Sequence, residues 1–135
     1  MAPDSTPQLV VFALRGREYA LGIEQVHEII RYAQPRPIAG CDPAARGLIS
    51  VRGMIVPVFD LAIRLDLDPA PIGDQTRIIV MDAGDEVVGA IVDQVRDVIA
   101  TDAEGLASRG AVLVDAAWAA GVSSGTPSEI AAAVA

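Results

Sequence analysis

Gly47-Leu48-Ile49-Ser50-Val51-Arg52-Gly53-Met54-Ile55-Val56-Pro57-Val58-Phe59-Asp60-Leu61 sets two apolar runs about a single Arg-Gly pair. A short apolar run bounded by turn residues reads as a buried strand. Arg52-Gly53 therefore sits where two strands meet, and glycine supplies the permissive backbone a tight turn needs. The turn presents one guanidinium, with its fixed fork of donors, beside a β-rich core. That arrangement suits gripping a carboxylate or carbonyl of another protein better than breaking a bond. Pro57 lies inside the second arm and cannot donate to a ladder, so this arm is expected at a sheet edge or a bulge.

The same punctuation extends in both directions. Leu9 to Leu14 is a β run, Arg15-Gly16-Arg17 a turn, and Tyr19, Leu21 and Ile23 alternate as in a half-buried strand. From Glu24 the period changes: Ile23, Val26, His27 and Ile30 share the spacing of one helix face, which predicts a helix ending before Pro35. Asp66 to Asp74 reads as a loop. Arg77 to Met81 and Glu86 to Asp93 read as strands joined by a hairpin turn at Asp82-Ala83-Gly84-Asp85. Val95 to Ala100 is a strand, Asp102 to Gly110 a loop, and Ala111 to Val114 a short strand. Asp115 caps a brief alanine-rich helix around Trp118 that Gly121 ends, and Thr126-Pro127-Ser128-Glu129 opens a last short helix. The division is a tail at 1–8, one domain over 9–122, and a C-terminal tail with a short helix at 123–135. Many short strands between turns argue for an all-β chain with one or two short helices, built as a barrel or a pair of barrels.

Composition bounds the function. The chain has 135 residues, enough for one domain with a sizeable core, and 52% hydrophobic residues to fill it. No apolar run reaches the ~18 residues of a membrane helix. Met1 to Gln8 lacks the basic and apolar regions of a signal peptide, and the single cysteine, Cys41, cannot form an internal disulfide. These features predict a cytoplasmic protein without membrane insertion. Residues 1–60 balance six acids against six arginines, so residues 61–135 carry the whole net charge of −8. Such a field repels phosphate backbones and argues against nucleic acid as a partner.

Motifs for chemistry are missing. There is no glycine-rich phosphate loop, no Gly-x-Ser-x-Gly elbow and no Cys-x-x-Cys. His27 is the only histidine and is expected to pack near the helix's apolar face. Cys41, in a Gly-Cys-Asp-Pro loop, reads as an unreactive thiol. Asp66-x-Asp68 lacks the further ligands of a calcium loop. The reading is of no catalytic residue, no metal site and no cofactor.

Two side chains stand out for binding. Glu28, flanked by Val26 and Ile29, is either a solvated acid paired with Arg31 or Tyr32, or an acidic contact on an apolar ledge. Arg52 either serves a partner, caps its own turn, or pairs with Asp60 or Glu28. Gly47, Gly53 and Gly89 read first as backbone positions. Gly89, inside Val87-Val88-Gly89-Ala90-Ile91-Val92, permits a bulge or the close approach of another chain.

Tyr19-x-Leu21-x-Ile23, Gln25-Val26-His27-Glu28-Ile29, Arg46-Gly47-Leu48-Ile49-Ser50-Val51-Arg52-Gly53-x-Ile55-Val56-Pro57-Val58-x-Asp60-Leu61, Thr76-Arg77-Ile78-Ile79-Val80 and Val88-Gly89-x-Ile91-Val92-Asp93-x-Val95-x-Asp97-Val98 follow one another in this order. Together they resemble the CheW family of chemotaxis coupling proteins, from about Leu9 to Asp102. The resemblance implies two small SH3-like β-barrels packed around a shared core, and no enzymatic activity. It implies an adaptor between the cytoplasmic tip of a chemoreceptor (a methyl-accepting chemotaxis protein) and the regulatory domain of a CheA-type histidine kinase. Val26 and Glu28 match positions linked to receptor or kinase coupling, Arg52 the arginine of the signalling turn with Gly53 behind it, and Gly47 and Gly89 glycines near partner surfaces. Ser50 stands where the family has asparagine.

A second departure is larger. Only Thr101 to Gly110 separates the Asp97-Val98 segment from the final strand, so one barrel is expected to lack a strand. Its open edge would be covered by the C-terminal helix or a partner, or would serve self-association by strand addition. Three readings follow: an array adaptor; a specialised or degenerate coupling protein for pilus or other motility or for array localisation, binding one partner only; and a small β-barrel enzyme or ligand-binding protein.

Overall fold

The computed structural model describes residues 6–39, 43–69 and 71–119. Nine strands dominate these segments: β1 (Gln8–Leu14), β2 (Arg17–Gly22), β3 (Val26–Arg31), β4 (Ala45–Val51), β5 (Met54–Asp60), β6 (Arg77–Ala83), β7 (Glu86–Val92), β8 (Gln94–Ala100) and β9 (Val112–Leu113). Three short helices join them: α1 (Leu61–Arg64), α2 (Ala103–Arg109) and α3 (Ala116–Ala119). The strands form two sheets, one of four in the order β8-β1-β2-β9 and one of five in the order β3-β6-β7-β5-β4. The chain leaves the smaller sheet after β2 through a single 3₁₀ turn at Ile23–Gln25 and returns at the bend of Asp93.

Both sheets are built from hairpins whose turns the sequence dictates. Arg15-Gly16 and Arg52-Gly53 have the same backbone, φ +51° then +81° in each. Positive φ at both loop residues is what a two-residue turn needs to match the right-handed twist of its strands. Asp93 secures the first of these turns, its Oδ2 accepting the Arg15 N–H at 2.7 Å. Gly84, at φ +71°, turns β6 into β7 where the hairpin is expected.

The larger sheet closes on itself. β3 and β4 are its two edges. The chain beyond β3 folds back along β4, with the Arg36 N–H donating to the Leu48 carbonyl at 2.8 Å and the Leu48 N–H to the Arg36 carbonyl at 2.9 Å. Ile49, Val56, Val58, Ile78, Val80 and Ile91 fill this barrel. Leu9, Val11, Ala20, Leu106 and Ala111 fill the smaller one. Between them lies the largest cluster, with Phe12, Leu21, Phe59, Leu61, Ile79 and Met81 at its heart. Two small β subdomains share one core, as expected.

Several expectations need correction. Ile23 to Ile30 is not a helix: after the 3₁₀ turn, β3 pairs antiparallel with β6. Val26, Glu28 and Ile30 are half-buried while His27, Ile29 and Arg31 are exposed, the alternation of a strand; of the four residues at helical spacing only Val26 and Ile30 share its inner side, and Ile23 and His27 are exposed. His27 does not pack in an apolar face. It is exposed at a bulge, its Nδ1 3.5 Å from Asp82 Oδ1. β5 is not an edge strand, though its pairing with β4 does carry a bulge, at Ala45–Gly47 opposite Phe59 and Val58, just past Pro57. It pairs β4 throughout and β7 from Val58 onward, so Pro57 sits just before the second partner begins and withholds no ladder donor there. Gly89 lies in regular register with Val58 and Val80, without a bulge.

The Asp102 to Gly110 loop is instead α2. Asp102 caps it by accepting the Gly105 N–H at 2.9 Å, and Gly110 ends it at φ +86°. β9 is only two residues long and runs parallel to β2. α3 begins at Ala116, as the sequence suggests. Gly121, Cys41 and the Thr126-Glu129 capping pattern lie outside the described residues.

Candidate partner-binding face

The β4–β5 turn carries Arg52 out of the larger barrel. A non-glycine residue at φ +51° costs on the order of 1 kcal/mol, so the turn holds Arg52 against a local preference. Its side chain is 81% exposed, and its Nε–H donates to Glu28 Oε2 at 3.0 Å. Among the described contacts, the rest of the guanidinium fork is unused. Glu28 stands on β3, only 23% exposed, and approaches Arg52 from the opposite edge of the sheet. The pair therefore spans the seam of the closed barrel. Its energy is small, since one partner is mostly in water.

The six candidate residues are not one cluster. Glu28, Arg52 and Gly53 come together at the turn. Val26 is half-buried on β3 and packs against the shared core. Gly47 is buried at φ +138°, where a β-carbon would collide with the Arg36 carbonyl oxygen; its bare backbone lets the strap after β3 cross β4. Gly89 is buried in the sheet, and a β-carbon there would lie 2.8 Å from Ile78 Cγ2. Gly53 meets open space and serves the turn alone.

Asp60, one alternative partner for Arg52, is committed elsewhere. It caps α1 by accepting the Ala62 N–H at 3.0 Å, and Arg46 lies 3.6 Å away. Sequence reading missed Ile55, 63% exposed one residue beyond Met54, and the exposed Ile29 beside Glu28. Both stand singly in water, and alternation puts Ile29 on the face of β3 opposite Glu28. Strand alternation on β3 was the signal that could have found Ile29.

Two further polar groupings lie away from the turn. Gln25 donates to Asp115 Oδ1 and accepts the Ala116 N–H, both at 3.0 Å, tying the 3₁₀ turn to α3. On the smaller sheet Arg109 grips Glu18 at 2.7 Å and Asp97 at 3.1 Å. The Arg109 hydrogen bond holds the Glu18 carboxyl below its ordinary value, and Glu18 in turn raises Arg109. Among the described residues no three His, Cys, Asp or Glu side chains gather to hold a metal ion, and no helix is long and apolar enough to cross a membrane.

Fold and face define a double-barrel β domain that displays a cation on a rigid turn. The CheW-like domain model matches residues 8–127, and the chain belongs to that family. It is 41% identical over 92 residues to the chemotaxis protein CheW of Bacillus subtilis, covering 68% of this chain and 59% of that protein. It is 35% identical over 97 residues to CheW of Klebsiella aerogenes, covering 72% and 58%. The crystal structure of the scaffolding protein TtCheW from Thermoanaerobacter tengcongensis superposes with a TM-score of 0.69 at 32% identity, covering 73% of this chain and 68% of that one. The chain thus spans about three-fifths of the length of the two CheW relatives.

Proposed function

We propose that this chain is a non-enzymatic adaptor of a bacterial chemosensory array, working on the cytoplasmic side. It holds the cytoplasmic tip of a chemoreceptor and the regulatory domain of a CheA-type histidine kinase in register. The observation that carries this reading is the Glu28–Arg52 pair: an exposed arginine on a fixed turn, with one donor engaged and the others, among the described residues, open to a partner's carboxylate or carbonyls. Membership of the CheW-like family supports it.

The test is co-sedimentation of the purified chain with a receptor cytoplasmic fragment and kinase, with kinase activity read in parallel. Arg52→Ala is expected to lose coupling while keeping its circular dichroism and denaturation midpoint, because a surface pair contributes only about 0–1 kcal/mol to folding. A folded Arg52→Ala protein that couples like the parent overturns the assignment.

A further inference from the structure

Among the described residues the smaller barrel is incompletely filled. α2 supplies it with one buried side chain, Leu106. A strand of that length would turn about three side chains inward, because successive residues alternate. The shortfall leaves a cavity of about 190 Å³ between the start of β1, the end of β2, α2 and β9. Leu9, Leu106, Leu113 and Val114 make its apolar wall. Its polar rim is acidic, with Glu24 and Asp102, and no arginine or histidine lines it. Asp102 spends Oδ1 on the Gly105 N–H, and Gln25 spends both ends of its amide on Asp115 and Ala116. Glu24 has no hydrogen bond or ion pair among the described residues. An unpaired carboxylate thus stands at the mouth of an apolar hollow.

We propose that this cavity binds a small organic cation, a single apolar group of about the size of a benzene ring bearing a primary ammonium. Size bounds the apolar part: the hollow is open on one side and about 190 Å³ in volume, room for one ring-sized apolar group. Charge sets the head: Glu24 offers an acceptor with no competing cation on the rim among the described residues. The site is separate from the Arg52 turn and does not depend on the adaptor role.

Phenethylamine is the probe, with 2-phenylethanol as its neutral counterpart and phenylacetate as its anionic one. Backbone amide shifts of the full ¹⁵N-labelled chain are followed during titration. Saturable shifts at Gly22, Leu106 and Leu113 are expected with the amine, at roughly fivefold higher affinity than with the alcohol, and none with the acid. Glu24→Gln, on an exposed side chain, should fold normally, bring the amine down to the alcohol's affinity and leave the alcohol unchanged. The proposal fails if those amides show no saturable shift, if the shifts centre elsewhere, if amine and alcohol bind alike, or if Glu24→Gln leaves the amine's affinity intact.

Discussion

Gly89→Ala separates a packing role from a contact role at a glycine placed by resemblance near partner surfaces. A β-carbon at Gly89 would stand 2.8 Å from Ile78 Cγ2 and 3.3 Å from Val58 Cγ2. Carbon atoms rest at about 3.5–4.0 Å, so the new methyl overlaps its neighbours by up to roughly 1 Å. Relief is difficult, because β7 is hydrogen-bonded to β6 on one side and to β5 on the other. Overpacking by one methyl costs about 1–3 kcal/mol, and the stiffer unfolded chain returns about 0.4–1 kcal/mol. A net loss of about 1–2 kcal/mol follows, or a fall in Tm of roughly 4–8 °C for a domain of this size. Urea denaturation of a double-mutant cycle with Ile78→Ala measures the contact itself. Ile78→Ala alone should cost about 2–5 kcal/mol, and the double variant should be more stable than the sum of the singles by at least about 0.5 kcal/mol, since the new methyl enters the space vacated. Strict additivity, or a Gly89→Ala protein as stable as the parent that has lost its partners, refutes the packing account.

Gly47→Ala should be the more damaging glycine change, at about 3 kcal/mol or above, because a strained φ and a backbone collision add; the measurement is the shift in urea midpoint. Asp60→Ala should lose about 1–2 kcal/mol with the α1 cap, and Asp60→Asn should recover most of it in the same assay. The carboxyl of Glu18 is lowered in the fold by Arg109, so its stabilising contribution is complete above the ordinary value of 4.5 and is lost as pH falls through the lower folded value. Denaturation between neutral and strongly acidic pH should therefore show a smaller loss of stability for Arg109→Gln than for the parent.

How far the sequence was legible follows from what each signal measures. Local turn chemistry was fully written: Arg15-Gly16, Arg52-Gly53 and Gly84 sit where glycine was needed. Period was ambiguous over Ile23 to Ile30, where half of a strand's alternation coincides with a helix stripe, and pairing with β6 decided the outcome. α2 was hidden for a different reason. Its caps, Asp102 and Gly110, were in plain view, but a helix burying only Leu106 has no apolar stripe to read. The Arg52 partner was left open between Asp60 and Glu28, because Glu28 reaches Arg52 only after the sheet has curled. Nothing local to either residue encodes that meeting.

Closure of the larger barrel relates Gly47, Glu28 and Arg52 to one another although they lie far apart in sequence. The strap from Arg36 must pass β4 at backbone distance, which Gly47 alone permits. Once it passes, the β3 edge faces the β4–β5 turn, and Glu28 meets Arg52 across the seam. Gly89 gives the sheet's interior the room its curvature requires. Gly47 and Gly89 thus serve packing, and the Glu28–Arg52 pair contributes little to folding. Arg52 keeps the positive φ that its turn shares with Arg15, so the turn itself accounts for that backbone, and what distinguishes Arg52 is its pairing with Glu28 across the seam.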